Sequence, residues 1–499
     1  MSGRRYRFGS LEERGVVGPF GLGQVAVLAV AALIGLAALY ALRDWLGLLV
    51  ALLLVGAALA AVTLPIEGRT AASWAPIVIR WGQRRGAQRD GFRSQAPGAG
   101  VRFDGEGRAE FEVSLPPELE GLRIIEVPYG SDRVGVLHDP AAGTYTVALA
   151  VRAGAFGLLD TAEQDRKLDA WGSVLAGLAR DGSPVRRLQW IERTLPAQGD
   201  ELAAYLQAER DRAVPLDAGL VSSYIELIES AAPATQEHEI LLALQVDERR
   251  AARELRRLGG GEKASCELAL REAEALAEHL SIAEVTVFGL LRPRRYAEAI
   301  RDAFDPFGRQ ARSRAALGDP ERAGVDPALM GPQADETSWS SYRTDSAVHA
   351  TFWVASWPRT DVGPAFLTPL LMQTGTALRT VSVCIEPVAQ SVAIRRAEAA
   401  RTAEVAEELQ RERQGFLTTA RIHRRQQAAA RKEAELADGH AELLHVGYVT
   451  VSGRTDEELS RSIPDVEHAA ALARLELRRL HGEQDAAFTF GLPICRGLR

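Results

Sequence analysis

Two apolar runs near the amino terminus constrain this chain more than anything that follows them. Residues 20–66 contain GLGQVAVLAVAALIGLAALYAL, then RDW, then LGLLVALLLVGAALAAVTLPI. Each run is about 21 residues, the length a helix needs to cross a hydrocarbon core of ~30 Å. Neither carries a charge or the polar stripe that a water-exposed helix shows at 3.6-residue spacing. The segment is therefore expected to form a transmembrane helical hairpin. A cleaved signal peptide is the lesser alternative, because a second full-length run follows at once and no small-residue cleavage site precedes soluble sequence.

The flanks set an orientation. Arg4, Arg5, Arg7 and Arg14 precede the hairpin, and Arg69, Arg80, Arg84, Arg85, Arg89 and Arg93 follow it. Positive flanks stay on the inner side, so a multi-pass protein of the plasma (inner) membrane with both termini cytoplasmic is expected. Tyr40 and Trp45 stand at the turn as outer-interface anchors. In residues 67–93, Trp74, Trp81 and Phe92 alternate with Arg80, Arg84 and Arg85, a pattern suited to contact with the inner leaflet. Gly35, Gly47 and Gly56 leave small surfaces on which helices could pack closely, although small residues are common in such spans and that plainer reading is preferred to a specific dimer motif.

Charge is unevenly distributed. The formal charge of the chain is −7, yet residues 1–95 carry eleven Lys/Arg against five Asp/Glu. The membrane-proximal part is thus basic and the remainder acidic, which argues against wholesale nucleic-acid binding. Three widely separated cysteines, Cys266, Cys384 and Cys495, fit a reducing compartment rather than a disulfide framework.

At 499 residues the chain has room for the hairpin plus two or three domains. The expected organisation is a cytoplasmic amino terminus (1–19), the hairpin (20–66), a basic juxtamembrane segment and linker (67–100), a first α/β domain (101–308), a mobile loop (309–345) and a second α/β domain (346–499). Short strands and Pro/Gly breaks over 101–139 predict a β meander. Alternation of Tyr145, Val147, Leu149 and Val151 predicts a strand, and Thr161 with Gln164 a capping box before a helix. VRRLQWIER reads as the next strand. Helical patterns follow over 200–210 and 218–230, then a strand, a helix over 264–280 and a strand over 284–291. The second half repeats this logic: strands at HATFWVASW, RTVSVCIEPV and ELLHVGYVTVSG, a long helix over 389–437, a helix capped by Thr455 and Glu458 running to about 480, and a closing strand at AAFTFGL. Residues 309–345 lack apolar periodicity, hence the mobile loop. The expected fold class is α/β (α+β), with βαβ-type ferredoxin-like units whose helices cover a mixed sheet.

No catalytic, cofactor or metal motif emerges. LGGGEKAS at 258–265 lacks the Gly-Lys-Ser/Thr ending of a phosphate loop and reads as one helix ending and another starting. HExxH, CxxC and GxSxG are absent, and only His440 and His445 among nine histidines are close in sequence. The basic run with Arg421, Arg424, Arg425, Arg431 and Lys432 could meet a charged partner, but it is balanced by neighbouring glutamates and lacks an aromatic stacking platform.

Several of these pieces together resemble a known group. The hairpin and its Trp-bearing basic exit look like the PrgI-like membrane proteins of Gram-positive conjugation and type IV secretion loci. RAGAFGLLDTAEQDRKLDAWGSVLAGL, VRRLQWIERTLP, WVASWPRTDVGPAFLTPLL and RTVSVCIEPVAQSVAIRRAEAARTAEV resemble the non-motor amino-terminal domain of type IV secretion traffic ATPases. Their order is similar to an actinobacterial family of integral membrane proteins encoded with conjugation-like genes. The resemblance implies a non-enzymatic inner-membrane component that anchors and docks a separate ATPase and other membrane components, with homo-oligomerisation a further expectation. A weaker likeness is to EccE-type components of type VII secretion. A membrane-tethered DNA-coupling adapter and an unrecognised enzyme are the remaining alternatives.

Overall fold

The computed structural model describes residues 22–42, 44–63, 65–66, 69–86, 91–94, 101–103, 109–111, 114–152, 154, 156–196, 219, 222–223, 236–316, 323–372, 377–413 and 420–498. The predicted helices over 200–210 and 218–230 lie almost entirely outside these residues.

Helices α1 (Leu22–Leu42) and α2 (Trp45–Thr63) pack against each other as a hairpin. Small residues make the contact. A Cβ on Gly35 would stand 3.4 Å from both Cα and Cβ of Ala51. Gly47 and Ala51, one turn apart on α2, are buried, whereas Gly56 faces open space. Of the three glycines singled out in the sequence, Gly35 makes a close contact between the two helices and Gly47 is buried. By length and composition α2 can cross a membrane, whereas Val25–Ala41 is a shorter apolar helix. One of the two expected spans thus meets the length requirement.

Beyond α3 (Ala71–Gly86) the chain builds one large sheet. Strands β1 (Gly91–Arg93), β2 (Arg123–Tyr129) and β3 (Asp132–Asp139) come first. A first unit follows, made of β4 (Thr144–Arg152), α4 (Thr161–Leu178), β5 (Val185–Pro196), β6 (Gln236–Asp247), α5 (Ala252–Arg257), α6 (Gly261–Ile282) and β7 (Thr286–Leu290). Helices α7 (Pro293–Phe304) and α8 (Arg309–Ala316) and the short strands β8 (Ala334–Thr337) and β9 (Tyr342–Arg343) lead to a second unit. It comprises β10 (Val348–Ser356), α9 (Thr368–Met372), β11 (Leu378–Pro387), α10 (Gln390–Arg413), α11 (Ala420–Ala437), β12 (Leu443–Gly453), α12 (Asp456–Leu472) and β13 (Glu476–Arg479). A last helix, α13 (Gln484–Phe488), precedes the carboxy-terminal tail.

The two units share one topology. In the first the spatial order is β7-β4-β6-β5, and in the second β13-β10-β12-β11. Both have strand order 4-1-3-2, the second with α10 and α11 between its second and third strands, and they join edge to edge through β5 and β11. Even the outer edges correspond. The early part of β4 pairs with β3 and its later part with β7, across a register shift at Val287/Gly289. The early part of β10 pairs with β9 and its later part with β13, across a shift at Val354/Ser356. Every described pairing is antiparallel, where a mixed sheet was expected. The connectivity gives the reason: each crossover skips one position, and the third strand fills the gap running opposite to both neighbours.

Both faces of the sheet are covered. On one, Val147, Leu149, Leu188, Leu242 and Leu244 pack with Val174, Leu268 and Leu276 of α4 and α6. The corresponding core of the second unit gathers Val348, Phe352, Val354, Val381, Val449 and Val451 with Leu459 and Val466 of α12. Trp190 at the centre of β5 packs against both cores. On the opposite face α7, α13 and the tail cover Leu137, Ala148 and Ala243. There Gln189 crosses the seam. Its amide donates to Ser382 Oγ (2.8 Å) and Phe490 O (2.9 Å), and its oxygen accepts from Cys495 N (2.7 Å).

Several boundaries differ from expectation. Helix α4 is capped by Asp160, whose carboxylate accepts from Glu163 N at 2.8 Å, so the cap lies one residue before Thr161. Thr455 does cap α12, accepting from Glu458 N at 3.3 Å. That helix stops at Leu472 rather than near 480, because Arg474 turns with φ 59° and the chain re-enters the sheet as β13. AAFTFGL is helical, not a strand. The outer edge of β10 is already taken by β9 and β13, and Gln484 instead hydrogen-bonds both Thr351 N (2.8 Å) and Thr351 O (3.2 Å). The composition over 389–437 folds as two helices, α10 and α11, that pack together. The span 309–345, expected to be a mobile loop, contains α8, β8 and β9. Val325, Met330 and Tyr342 enter the core from it without a regular period, and charge adds to their hold: Arg301 pairs with Asp345 (2.6 Å), Arg312 with Asp302 (2.8 Å), and Asp345 accepts from Gln333 N and Ala334 N. Leu258–Ser265 does end one helix and start another, with Gly259, Gly260 and Gly261 at φ 93°, 71° and 78°, a backbone path that side chains resist.

Trp190→Ala opens space shared by both cores. It is expected to cost about 3 kcal/mol of stability, read as a lower thermal midpoint of the detergent-solubilised chain. Hydrogen exchange should speed up in β6 and β12 together.

Candidate functional site

The residues that sequence reading assigned to the membrane surface converge on α3, and most of them turn toward the body. Helix α3 carries no acidic residue, and Trp74, Ile77, Trp81 and Arg84 recur at spacings of three and four, which puts them on one side. That side meets Trp339 and the turn at His481 and Gly482. The Trp74 and Trp339 rings stack with centroids 5.9 Å apart, and Trp81 meets Trp339 edge-on at 5.7 Å. His481 lies against the same indole at 6.2 Å. Ile77 is buried. Gly482, at φ 74°, is required here: a Cβ would stand 2.7 Å from the Trp339 ring and 2.9 Å from Ile77.

Ion pairs frame this aromatic contact. Arg80 pairs with Glu483 at 2.8 Å, and Arg69 approaches the same carboxylate at 3.7 Å. Arg84 donates to Asp485 and lies 3.4 Å from Glu118. Burial, together with the neighbouring Asp485, pushes the Glu118 carboxyl up to about 7. Burial likewise pushes Asp335 up to about 6; it accepts from Tyr342 Oη (2.9 Å) and Phe92 N (3.1 Å). Phe92 sits on β1, which pairs with β8, so the chain after α3 becomes an edge strand of the body's sheet. The juxtamembrane segment expected to lie on lipid is therefore, in large part, bound to the protein. The physical reason is that Trp and Arg serve an acidic, aromatic protein surface as well as they serve headgroups.

The other assigned residues fall in three places. Tyr40 and Trp45, at the turn end of the hairpin, are 76% and 69% exposed. Arg85 is exposed on α3. In the basic run, Arg431 pairs with Glu435 (2.8 Å) and Lys432 with Glu442 (2.6 Å), so neighbouring acids offset both charges. The side chains of Arg421, Arg424 and Arg425 lie outside the described residues. Sequence reading missed Trp339, Gly482, Glu483, Asp485 and Glu118. The acidic HGEQD turn was a signal, but about 400 residues separate it from the arginines it meets.

Sites of catalytic character were sought elsewhere. Among the described residues no group of three or more His, Cys, Asp or Glu is placed to hold a metal ion. His349 is wholly buried between Thr344 Oγ1 and Ser452 Oγ, each 2.8 Å away, and its ring rests on Phe488 at 4.6 Å. Burial pushes its pKa down to about 3, so it stays neutral and packs as core. Cys384 is buried, and its thiol is pushed up to about 12. A cavity of about 180 Å³ is lined by Phe156, Leu168, Trp171 and Val285, with a Lys167–Glu284 ion pair (2.6 Å) among its lining residues. No protein-family model and no curated protein matches the chain.

The raised carboxyls give α3 docking a pH dependence. The folded state holds the Glu118 proton up to about 7, whereas an unfolded glutamate releases it near its ordinary value of about 4.3. Between those values the folded form holds the Glu118 proton that the unfolded form has released, so the Glu118 contribution to stability falls as pH rises through that window. Buried His349, held neutral, contributes the opposite slope over part of it, so the test is a difference between variants. The thermal midpoint of Glu118→Gln should rise relative to that of the unaltered chain between pH 5 and pH 7.5.

Proposed function

We propose that the protein is a non-enzymatic component of the inner membrane, part of a conjugative or type IV-like secretion apparatus, whose body docks a separate motor ATPase. The observation that carries this reading is the hairpin's surface. Fifteen large apolar side chains of α1 and α2 are exposed, among them Leu33, Ile34, Leu36, Leu52 and Leu53. Water would penalise each by about 1.5–3 kcal/mol relative to an apolar setting, and the body does not cover them. A bilayer does. Basic flanks on both sides of the hairpin support an orientation with both termini in the cytoplasm.

The body fits a docking role. Its two units of shared strand order are of the ferredoxin-like kind, fused into one plate through the β5–β11 seam. Such units host many functions, and the assignment here rests on the site and anchor rather than on fold alone. The motifs that resemble the non-motor domain of traffic ATPases fall on α4 and β5 of the first unit and on the end of β10, α9, β11 and the first part of α10 in the second.

Isolation of the full chain in detergent from its native membranes tests this reading. A nucleotide-hydrolysing subunit should co-purify in fixed ratio. A chain that elutes alone, with neither ATPase nor self-association, contradicts it.

A further inference from the structure

The side of α3 that faces away from the body is unaccounted for by the docking just described. It carries Ala75, Val78, Ile79 and Gly82, spaced three and four apart and all exposed. Val78 is 51% and Ile79 57% exposed. Arg85 flanks this stripe on one side, with no acid in α3 beside it, and on the other side Arg80 is already paired with Glu483. A helix that is aromatic on one side, aliphatic on the other and basic between is amphipathic twice over.

We propose that α3 is a two-sided clamp: its Trp74–Ile77–Trp81 side grips the body while its Ala75–Val78–Ile79–Gly82 side rests in the headgroup–acyl boundary of an anionic leaflet. The inference rests on the reading that the hairpin spans a bilayer, and deepens it by naming the surface that α3 meets. Three observations commit the outer side to lipid. First, α3 begins within eight residues of the end of α2, packs against it, and Val62 in the last turn of α2 is 2% exposed. A spanning α2 delivers α3 to the bilayer surface. Second, the aliphatic stripe between flanking arginines matches an interfacial helix, in which cations reach phosphates while the stripe is buried ~5–10 Å below them. Third, the aromatic side is already used, so α3 need not roll over to satisfy it. The consequence is geometric: the body is fixed against the membrane in one orientation rather than swinging on a tether.

The test uses the full chain in vesicles of phosphatidylcholine with phosphatidylserine, labelled through single introduced cysteines with an environment-sensitive fluorophore. The native cysteines are buried. Labels go at Ile79 on the stripe, at Val55 in the hairpin and at exposed Ile282 on the body, and spin-labelled lipids serve as quenchers. Shallow spin labels should quench the Ile79 label several-fold more than the Ile282 label. Removing phosphatidylserine or introducing Arg85→Ala should weaken that quenching about twofold. Quenching at Val55 without quenching at Ile79 overturns the clamp and leaves the spanning hairpin standing. Quenching at neither position overturns both. Since no other protein is present, quenching at Ile79 by lipid also rules out the reading of the stripe as incidental exposed aliphatics.

Discussion

Apolar surface that the protein cannot bury by itself governs the rest of this molecule. The α1–α2 hairpin packs its small residues inward, at Gly35, Gly47 and Ala51, and turns its leucines and valines out. That is the reverse of a water-soluble helix pair, which would bury its bulk and expose its polar atoms. On the proposed reading lipid supplies the missing environment, and close backbone approach supplies the cohesion that hydrophobicity cannot provide between helices in a bilayer. Everything after residue 63 is then fixed relative to a membrane plane.

The second governing contact is the β5–β11 seam. Two units of identical strand order would each leave an edge strand open to unwanted pairing. Here the edges close on each other, and side chains seal both faces of the joint. Trp190 inserts between the two helix-covered cores, and Gln189 ties β11 and the tail across the other face. The tail extends the tie. Arg187 donates to Cys495 O and Leu498 O, and Tyr448 Oη donates to Gly497 O at 2.6 Å. Side chains thus join the two units across both faces of the sheet.

Much of the fold was legible because its signals are local. Tyr145, Val147, Leu149 and Val151 alternate as a half-sheet face should, and Thr455 caps α12 as its spacing with Glu458 indicates. The failures share a different cause. AAFTFGL alternates like a strand, but whether a strand can form depends on a free sheet edge, and β9 and β13 had taken it. Residues 323–345 looked unstructured because they are ordered by three irregularly spaced core residues, Val325, Met330 and Tyr342, and by carboxylate–arginine and carboxylate–amide pairs, none of which leaves a periodicity. Trp74 and Trp81 read as lipid anchors since sequence shows chemistry without showing the surface that receives it. Trp339 and Glu483 lie more than 250 residues away, beyond any pattern a single sequence displays. The absence of parallel pairing follows from strand order, which spacing alone does not encode.

On the proposed reading α1 and α2 cross a bilayer and hold the body on the cytoplasmic side. Cysteine accessibility in intact cells tests it most directly, with one introduced cysteine replacing Asp44 at the hairpin turn and another replacing Ile282 on the body. The account predicts that a membrane-impermeant maleimide labels position 44 from outside and reaches position 282 only after permeabilisation. Labelling of position 282 in intact cells, or recovery of the chain in the soluble fraction without detergent, would contradict it.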